Sequence, residues 1–241
     1  MFLFFKKKYI IASLLVILTF CAFLSFFYGV KAASIKLRGE IIVVDAGHGG
    51  RDGGVTGKET KVKESDLNLK YASLLKTSLE KQGYRVVMTR NTEDGLYDAA
   101  AEYGAYGEES RKSQDMKRRK EIIEEAKPAC VVSIHMNFFG QSSARGAQVF
   151  YNAPDKESKK LSQNIQSKIN VLNNKYADKN VSTLPGDYYI IKCTEYASCL
   201  IECGFLSNKE DEKLLINPSY QAELIYEITN GIIVYLNTRD L

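Results

Sequence analysis

Residues 41–48 read IIVVDAGH, a short β-branched run that ends in one of the chain's two histidines. Residues 130–135, CVVSIH, repeat this arrangement, and His135 is the second histidine. Apolar runs of this length are typical of strands buried on both faces of a sheet. Side chains at the carboxyl ends of such strands project into the crevice where α/β proteins bind ligands. Neutral imidazole is the commonest protein metal ligand, so the pattern predicts a metal site, although two hydrogen-bonded core histidines would also produce it.

Strand-like and helix-like stretches alternate along the rest of the chain. This alternation predicts an α/β fold with a single domain, in which a mostly parallel, twisted sheet of about six strands has helices on both faces. The predicted strands are 41–45, 84–88, 130–135, 146–151, 188–192 and 198–202, and the predicted helices are 66–82, 113–127, 156–172 and 220–236.

The N-terminal 33 residues differ from the remainder. Three lysines at positions 6–8 precede an apolar stretch, residues 9–30, that is long enough to span a bilayer. We predict that residues 1–33 are a signal peptide or a signal anchor and that residues 34–241 form an exported catalytic domain. The protein would then act outside the cytoplasmic membrane and contact the membrane only through this N-terminal segment.

The charge balance argues against a nucleic-acid partner. The whole chain has a formal net charge of +4, and residues 1–32 carry four lysines and no acidic residue, so the predicted domain is formally neutral. Binding to a phosphate backbone needs clustered, uncompensated basic residues. The one basic run, residues 117–120, is flanked by acidic residues, and we predict that it is a solvated helix face.

Four cysteines follow the N-terminal segment, namely Cys130, Cys193, Cys199 and Cys203. Their spacing contains no Cys-x-x-Cys pair, and two of them lie in predicted strands, so buried thiols are the expected state. Export would also permit a disulfide.

The loop after the first strand supplies the candidates for a third metal ligand. Residues 46–54 are rich in glycine but lack the Gly-Lys-Ser/Thr ending of a phosphate-binding loop. Glu64 stands just before the first helix, where a carboxylate also suits the helix dipole. Glu59 and Asp52 in the same loop are competitors that spacing alone does not eliminate.

Glu202 closes the last predicted strand after a fully apolar pair. A carboxyl group in that setting would be partly desolvated, which raises its pKa toward that of a general base or acid. The alternative is a charge that stabilises the start of the helix near Asn208. Two histidines and a carboxylate with a second, unliganded glutamate form the pattern of a catalytic zinc site.

Five short segments in this order resemble the zinc-dependent N-acetylmuramoyl-L-alanine amidases of bacterial cell walls, the amidase type 3 family. The segments are residues 43–50, 64–69, 88–90, 133–137 and 201–208. The resemblance implies that His48, Glu64 and His135 bind one Zn²⁺, that Glu202 is the catalytic glutamate, and that peptidoglycan is the substrate. It also selects Glu64 over Glu59.

Within this family the chain looks most like the spore-cortex amidases that act before muramic-δ-lactam formation. The hints are the absence of a wall-binding repeat and the stretches 95–97 and 146–151. This finer resemblance implies a role in sporulation and germination, action in the cell wall or the spore intermembrane space, and an activating exported protein partner.

Two other functions share parts of the pattern. A zinc peptidase acting on wall peptides would use the same ligand chemistry, although its usual His-x-x-Glu pair is absent. A non-catalytic peptidoglycan-binding module would need neither three ligands nor a spare glutamate. The segment 91–112, with Tyr97, Tyr103 and Tyr106, is predicted to be either a mobile surface loop or a rim that selects substrate or partner, and a neutral domain without tryptophan predicts polar substrate contacts.

Overall fold

The six-stranded sheet has the order β2-β1-β3-β6-β4-β5. The computed structural model describes residues 38–97 and 107–239, with the backbone only at 107–110, and three isolated positions, Val16, Ile17 and Thr19. The chain divides into two units, Met1–Lys36 and Leu37–Leu241. No helix among the described residues is long and apolar enough to cross a membrane. Most of the predicted signal segment lies outside those residues and stays a prediction.

Strands and helices alternate as the sequence predicts. The strands are β1 (Ile41–Ala46), β2 (Arg85–Met88), β3 (Cys130–Asn137), β4 (Gln148–Tyr151), β5 (Leu184–Pro185) and β6 (Ser198–Phe205). The helices are α1 (Glu64–Lys81), α2 (Gly107–Ala126), α3 (Lys156–Ala177), α4 (Tyr189–Lys192), α5 (Lys209–Ile216) and α6 (Pro218–Thr238). All pairs are parallel except β4 with β6, which confirms a mostly parallel α/β sheet.

The two faces of the sheet differ in the size of the apolar cluster that packs against them. Alternate strand residues such as Val44, Ile134 and Ile201 pack against α1, α3, α5 and α6 in the larger cluster, which we call the core face. Their neighbours Val43 and Leu200 pack against α2 and α4 in a much smaller cluster, which we call the site face. Because side chains alternate along a strand, the polar residues Asp45, Ser133, His135 and Glu202 also belong to the site face.

One predicted strand was wrong. Residues 188–192 form the short helix α4 with its flanking residue, and the edge strand β5 lies earlier, at Leu184–Pro185. A run of four apolar and aromatic residues followed by a lysine is too short for its periodicity to separate a strand from a buried helical turn. Helix α2 begins at Gly107, inside the segment 91–112 that was predicted to be a loop or rim, and α3 continues to Ala177, beyond its predicted end at residue 172.

The four cysteines in the described residues are free thiols, three of them buried. Burial raises the pKa of the Cys130 thiol to about 12 and that of Cys193 to about 11. These thiols are therefore protonated at neutral pH and are not candidates for a nucleophile.

Candidate metal centre and active site

Three potential metal ligands meet at the carboxyl edge of the sheet. β1 and β3 are parallel neighbours, so His48, just after β1, and His135, within β3, come to the same edge. Glu64, the first residue of α1, lies between them. Its Oε1 is 3.2 Å from His48 Nε2 and 2.9 Å from His135 Nδ1, and the three ligand atoms lie within 4.8 Å of one another.

This trio fits a zinc ion. Zinc takes histidine nitrogen and carboxylate oxygen at about 2.0–2.2 Å, which places tetrahedral ligand atoms roughly 3.4 Å apart. The two nitrogen-to-oxygen distances are close to that spacing. A Cβ atom on Gly47 would collide with the His135 ring, and one on Gly54 would collide with the Glu64 carboxylate. Glycine at these two positions therefore allows the ligand side chains to pack against backbone.

Backbone and side-chain donors fix the Glu64 carboxylate. Val55 N donates to Oε2 at 2.9 Å, and Met136 N donates to Oε1 at 3.2 Å. Asn68, one helical turn along α1, donates from Nδ2 to Oε1 and to the Gly47 carbonyl. Sequence reasoning missed Asn68, although its i+4 spacing from Glu64 places both on one face of α1.

The other acidic residues of the loop take different positions. Asp52 lies outside the trio, and its Oδ2 is 2.8 Å from His48 Nδ1. This carboxylate–histidine pair orients the ring and fixes which nitrogen faces the metal position. Glu59 is exposed, while its backbone N–H and that of Thr60 donate to the buried Glu212 carboxylate of α5. Of the three loop acids, Glu64 contacts both histidines, whereas Asp52 contacts His48 alone and Glu59 contacts neither.

Protonation of the trio follows from these contacts. Burial disfavours the charged form of His48, but hydrogen bonds to Asp52 and Glu64 outweigh it and raise the pKa of His48 to about 9. Burial opposes ionisation of Glu64 as well, yet the two histidines hold the pKa of that carboxyl well below its usual range. A metal ion must therefore displace a proton from His48.

Glu202 lies on the strand next to His135, in direct register across β3 and β6. Its exposed fraction is 7%, and its Oε2 has no hydrogen-bond partner within the described part of the chain. Burial, reinforced by the Glu64 charge and opposed by the two histidines, raises the pKa of Glu202 to about 7. A desolvated carboxyl group beside a metal site can exchange protons near neutral pH.

A second, fully polar cluster lies beneath the trio on the site face. Asp45 accepts hydrogen bonds from Ser133 Oγ at 2.5 Å and Thr89 Oγ1 at 2.6 Å. Arg119 Nη1 lies 2.5 Å from Asp45 Oδ1. Burial opposes ionisation of Asp45, but Arg119 and the two hydroxyl groups bring its pKa down to about 2.

The prediction that residues 117–120 form a solvated face was wrong for one residue. Lys117, Arg118 and Lys120 are exposed, but Arg119 is 1% exposed and pairs with Asp45 and Asp115. Asp45 is 74 positions away in sequence, so nothing local in the run indicates this contact. A buried strand-end aspartate, which needs a compensating charge, was the available signal.

A cavity of about 330 Å³ opens beside His48. It is lined by His48, Gly49, Arg51, Asp52, Tyr97, Arg111, Lys112, Asp115 and Met116. Tyr97 closes one wall, where its hydroxyl accepts a hydrogen bond from Arg51 N at 2.8 Å. The lining combines basic and acidic side chains. Tyr103 and Tyr106, the other two tyrosines considered as substrate contacts, lie outside the described residues.

Comparisons with known proteins identify the family of the chain. Residues 42–234 match the family model described as N-acetylmuramoyl-L-alanine amidase. The germination-specific N-acetylmuramoyl-L-alanine amidase of Bacillus subtilis (strain 168) is 34% identical over 209 residues, covering 87% of this chain and 85% of that protein.

Solved structures show the same fold. The CwlD amidase of Clostridioides difficile, solved in complex with the GerS lipoprotein, superposes with a TM-score of 0.77 at 37% identity, covering 82% of this chain and 98% of that chain. An N-acetylmuramoyl-L-alanine amidase from Clostridium difficile 630 superposes with a TM-score of 0.69 at 27% identity, covering 83% of this chain and 98% of that chain.

Proposed function

Because the chain belongs to the N-acetylmuramoyl-L-alanine amidase family, we propose that it is a zinc-dependent enzyme of the spore cortex. It hydrolyses the amide between the lactyl group of N-acetylmuramic acid and L-alanine. The observation that carries this proposal is the pairing of the His48–Glu64–His135 trio with a buried, unpartnered Glu202 in register with His135.

Each site residue has a separate task in this reaction. His48, Glu64 and His135 would hold zinc, which when bound supplies a Lewis acid for the carbonyl oxygen and a more acidic water. Asp52 keeps His48 Nε2 directed at the metal position by binding Nδ1. Glu202 accepts the proton of the attacking water at its unpartnered Oε2 and passes a proton to the departing amine of L-alanine.

The cavity beside His48 is suited to the part of the substrate that flanks the scissile amide. Its wall carries the Tyr97 hydroxyl and side chains of both signs, including Asp52 and Lys112. These groups support substrate contacts that are polar rather than strongly cationic. The segment 91–112, which contains Tyr97, would then contribute to substrate selection, as loops on a rigid scaffold often do.

The spore-cortex role rests on similarity to the germination-specific amidase of Bacillus subtilis. If the role is correct, spores of a strain that lacks the gene should contain cortex without muramic-δ-lactam. Spores whose muramic-δ-lactam content is unchanged would place the enzyme in another wall process.

The amidase family acts on a substrate outside the cytoplasmic membrane, and we propose that residues 1–33 direct this chain there. The Clostridioides difficile relative was solved with the GerS lipoprotein, and we extend this to an exported protein partner of the present chain. Affinity purification of the full-length chain from sporulating cells, followed by mass spectrometry, would test for that partner. Recovery of the chain alone after cross-linking would argue against it.

The activity itself is tested with purified peptidoglycan. A chain lacking residues 1–33, supplied with zinc, is expected to release stem peptides that begin with L-alanine, and mass spectrometry identifies them. Release of peptides cut elsewhere would favour a zinc peptidase. Binding without any release would favour a wall-binding module.

A further inference from the structure

Arg119 is the bulkiest of the fully buried side chains among the described residues. It has no part in the mechanism above, and it belongs neither to the metal trio nor to the cavity wall. Burying a charged side chain is unfavourable unless it is paired and hydrogen-bonded, and an apolar pair of similar volume is often at least as stable. Its retention in the fold therefore calls for a role other than packing.

The guanidinium group of Arg119 joins three parts of the molecule. Nε binds Asp115 Oδ2 on α2 at 2.6 Å. Nη1 binds Asp45 Oδ1 at 2.5 Å and the Ala46 carbonyl at 2.8 Å, both on β1. Nη2 donates to the carbonyl oxygen of His48 itself at 2.7 Å. The arginine thus holds the backbone of a metal ligand against the end of the strand before it.

His48 needs such support because of its backbone conformation. Its φ is +60°, in the left-handed region that residues with a side chain seldom adopt. Arg90 fixes the preceding carbonyls, those of Ala46 and Gly47, at 2.9 Å each. The His48 carbonyl itself accepts its hydrogen bond from Arg119. Strained backbone at a functional position persists only where the surroundings hold it.

We propose that Arg119 is a positioning residue, which fixes the left-handed backbone of His48 so that the His48 Nε2 atom is directed at the metal position. The proposal rests on the zinc site inferred above. The fork of the guanidinium group reaches Asp115, Asp45 and the His48 carbonyl at once. A lysine ammonium is a single point of donation and cannot span all three.

The deciding variant is Arg119→Lys, which keeps a cation beside Asp45 but loses the bond to the His48 carbonyl. Arg119→Met is a second variant, expected to destabilise the fold because it leaves Asp45 buried without a counter-charge. Arg118→Met is the matched control, since Arg118 is the exposed neighbour on the same helix and its ion pairs among the described residues are with the surface glutamates Glu121 and Glu125.

The measurements use the full-length chain, and the two metal-binding measurements do not depend on turnover. Zinc affinity is measured by chelator competition, and the Co²⁺-substituted protein is examined by visible absorption, which reports ligand geometry. Arg119→Lys is expected to remain folded, to bind zinc about 10–100-fold more weakly, as is usual when a residue that supports a ligand is lost, and to shift the cobalt spectrum. Its kcat should fall while KM stays within about twofold. Arg118→Met should match the original chain.

Two results would overturn the positioning role. One is an Arg119→Lys protein whose zinc affinity and cobalt spectrum equal those of the control. The other is an Arg119→Lys chain that does not fold, because Arg119 would then support the fold rather than the ligand. If the unaltered chain binds neither metal, the zinc site itself is wrong, and that failure is visible before any variant is made.

Discussion

The core face and the site face of the same sheet bury different kinds of side chain. On the core face, residues such as Val44, Ile134 and Ile201 are fully buried among the side chains of four helices. On the site face, the neighbouring residues include Asp45 and Glu202, equally inaccessible but polar or charged. A strand therefore places apolar side chains on the core face and polar or charged side chains on the site face, because successive residues point to opposite faces.

The core face stabilises the fold, whereas several features of the site face destabilise it. Burial of apolar surface contributes about 25 cal/mol per Å² and dominates stability, so the core face can hold the fold. The site face contains a left-handed His48, a buried Arg119–Asp45 pair and a Glu202 oxygen without a partner, each of which is unfavourable on its own. Removing an apolar side chain from the core face should therefore alter stability, whereas neutralising Glu202 on the site face should alter chemistry.

Glu202→Gln should have the largest effect. Glutamine has nearly the same shape but cannot accept the proton of the attacking water, so kcat should fall about 10²–10⁴-fold. Zinc content and melting temperature should remain close to those of the unaltered protein. Turnover of peptidoglycan at nearly the original rate would remove Glu202 from the mechanism and would break the proposed division between the faces.

Ile201→Ala tests the adjacent residue, which points to the core face. Loss of a fully buried isoleucine should lower the free energy of unfolding by about 2–5 kcal/mol, measured by urea denaturation. Zinc affinity and kcat below the melting range should change little. Val171→Ala on the exposed surface of α3 is the control, with an expected change within about 0.5 kcal/mol. A large loss of kcat at Ile201, without loss of stability, would contradict the comparison.

Zinc affinity should depend on pH through His48. Its pKa in the structure without metal is about 9, raised from 6.5, so binding must release one proton at neutral pH. After correction for the pH dependence of the chelator's own zinc binding, the zinc affinity of the protein should rise about tenfold per pH unit and level off near pH 9. The raised pKa of His48 also stabilises the folded state of the metal-free protein. This contribution to the free energy of unfolding is complete below pH 6.5 and is lost as the pH rises through 9. An affinity that is flat from pH 7 to 9 would contradict this protonation state.

Asp52→Asn should have the smallest effect of the four. It weakens the contact that orients His48, but the Asp52 side chain is 52% exposed and water can replace part of the interaction. We expect zinc affinity to fall by about tenfold, the lower end for loss of a residue that supports a ligand. Glu59→Gln, in the same loop and exposed, should leave affinity unchanged. Equal losses in both variants would point to loop charge rather than to orientation of the histidine.

The sequence was sufficient to predict the strands that carry the candidate site residues. Hydrophobic runs ending in His48, His135 and Glu202 identified the strand ends, and parallel pairing brings such ends to one edge of the sheet. The alternation of elements likewise predicted the sheet and the helices on both faces, which the structure confirms. Spacing alone could not choose Glu64 among three loop acids, because a loop of that length can return in several ways.

The parts that were missed depend on contacts between distant residues. Arg119 belongs to a run that reads as a charged helix surface, and only the tertiary fold brings it to Asp45. The prediction for the segment of helix α4 was wrong for a different reason, since its few apolar residues fit a strand or a helical turn equally well. Long periodic segments were therefore assigned correctly, whereas single buried charges and one-turn elements were not.

Strand β6 is the last strand to be synthesised, yet it lies between β3 and β4. The residues up to β3 include the three proposed ligands, His48, Glu64 and His135, whereas β4 and β5 have no neighbour in the sheet through which to join β3 until β6 pairs with it. Pairing between strands so distant in the chain is slow, because loop closure must precede the contact. The proposed ligand set thus lies in the part of the chain before β4, and the proposed proton acceptor lies in the strand that joins the two parts of the sheet. The strand that closes the sheet is therefore also the strand that carries the proposed proton acceptor, Glu202.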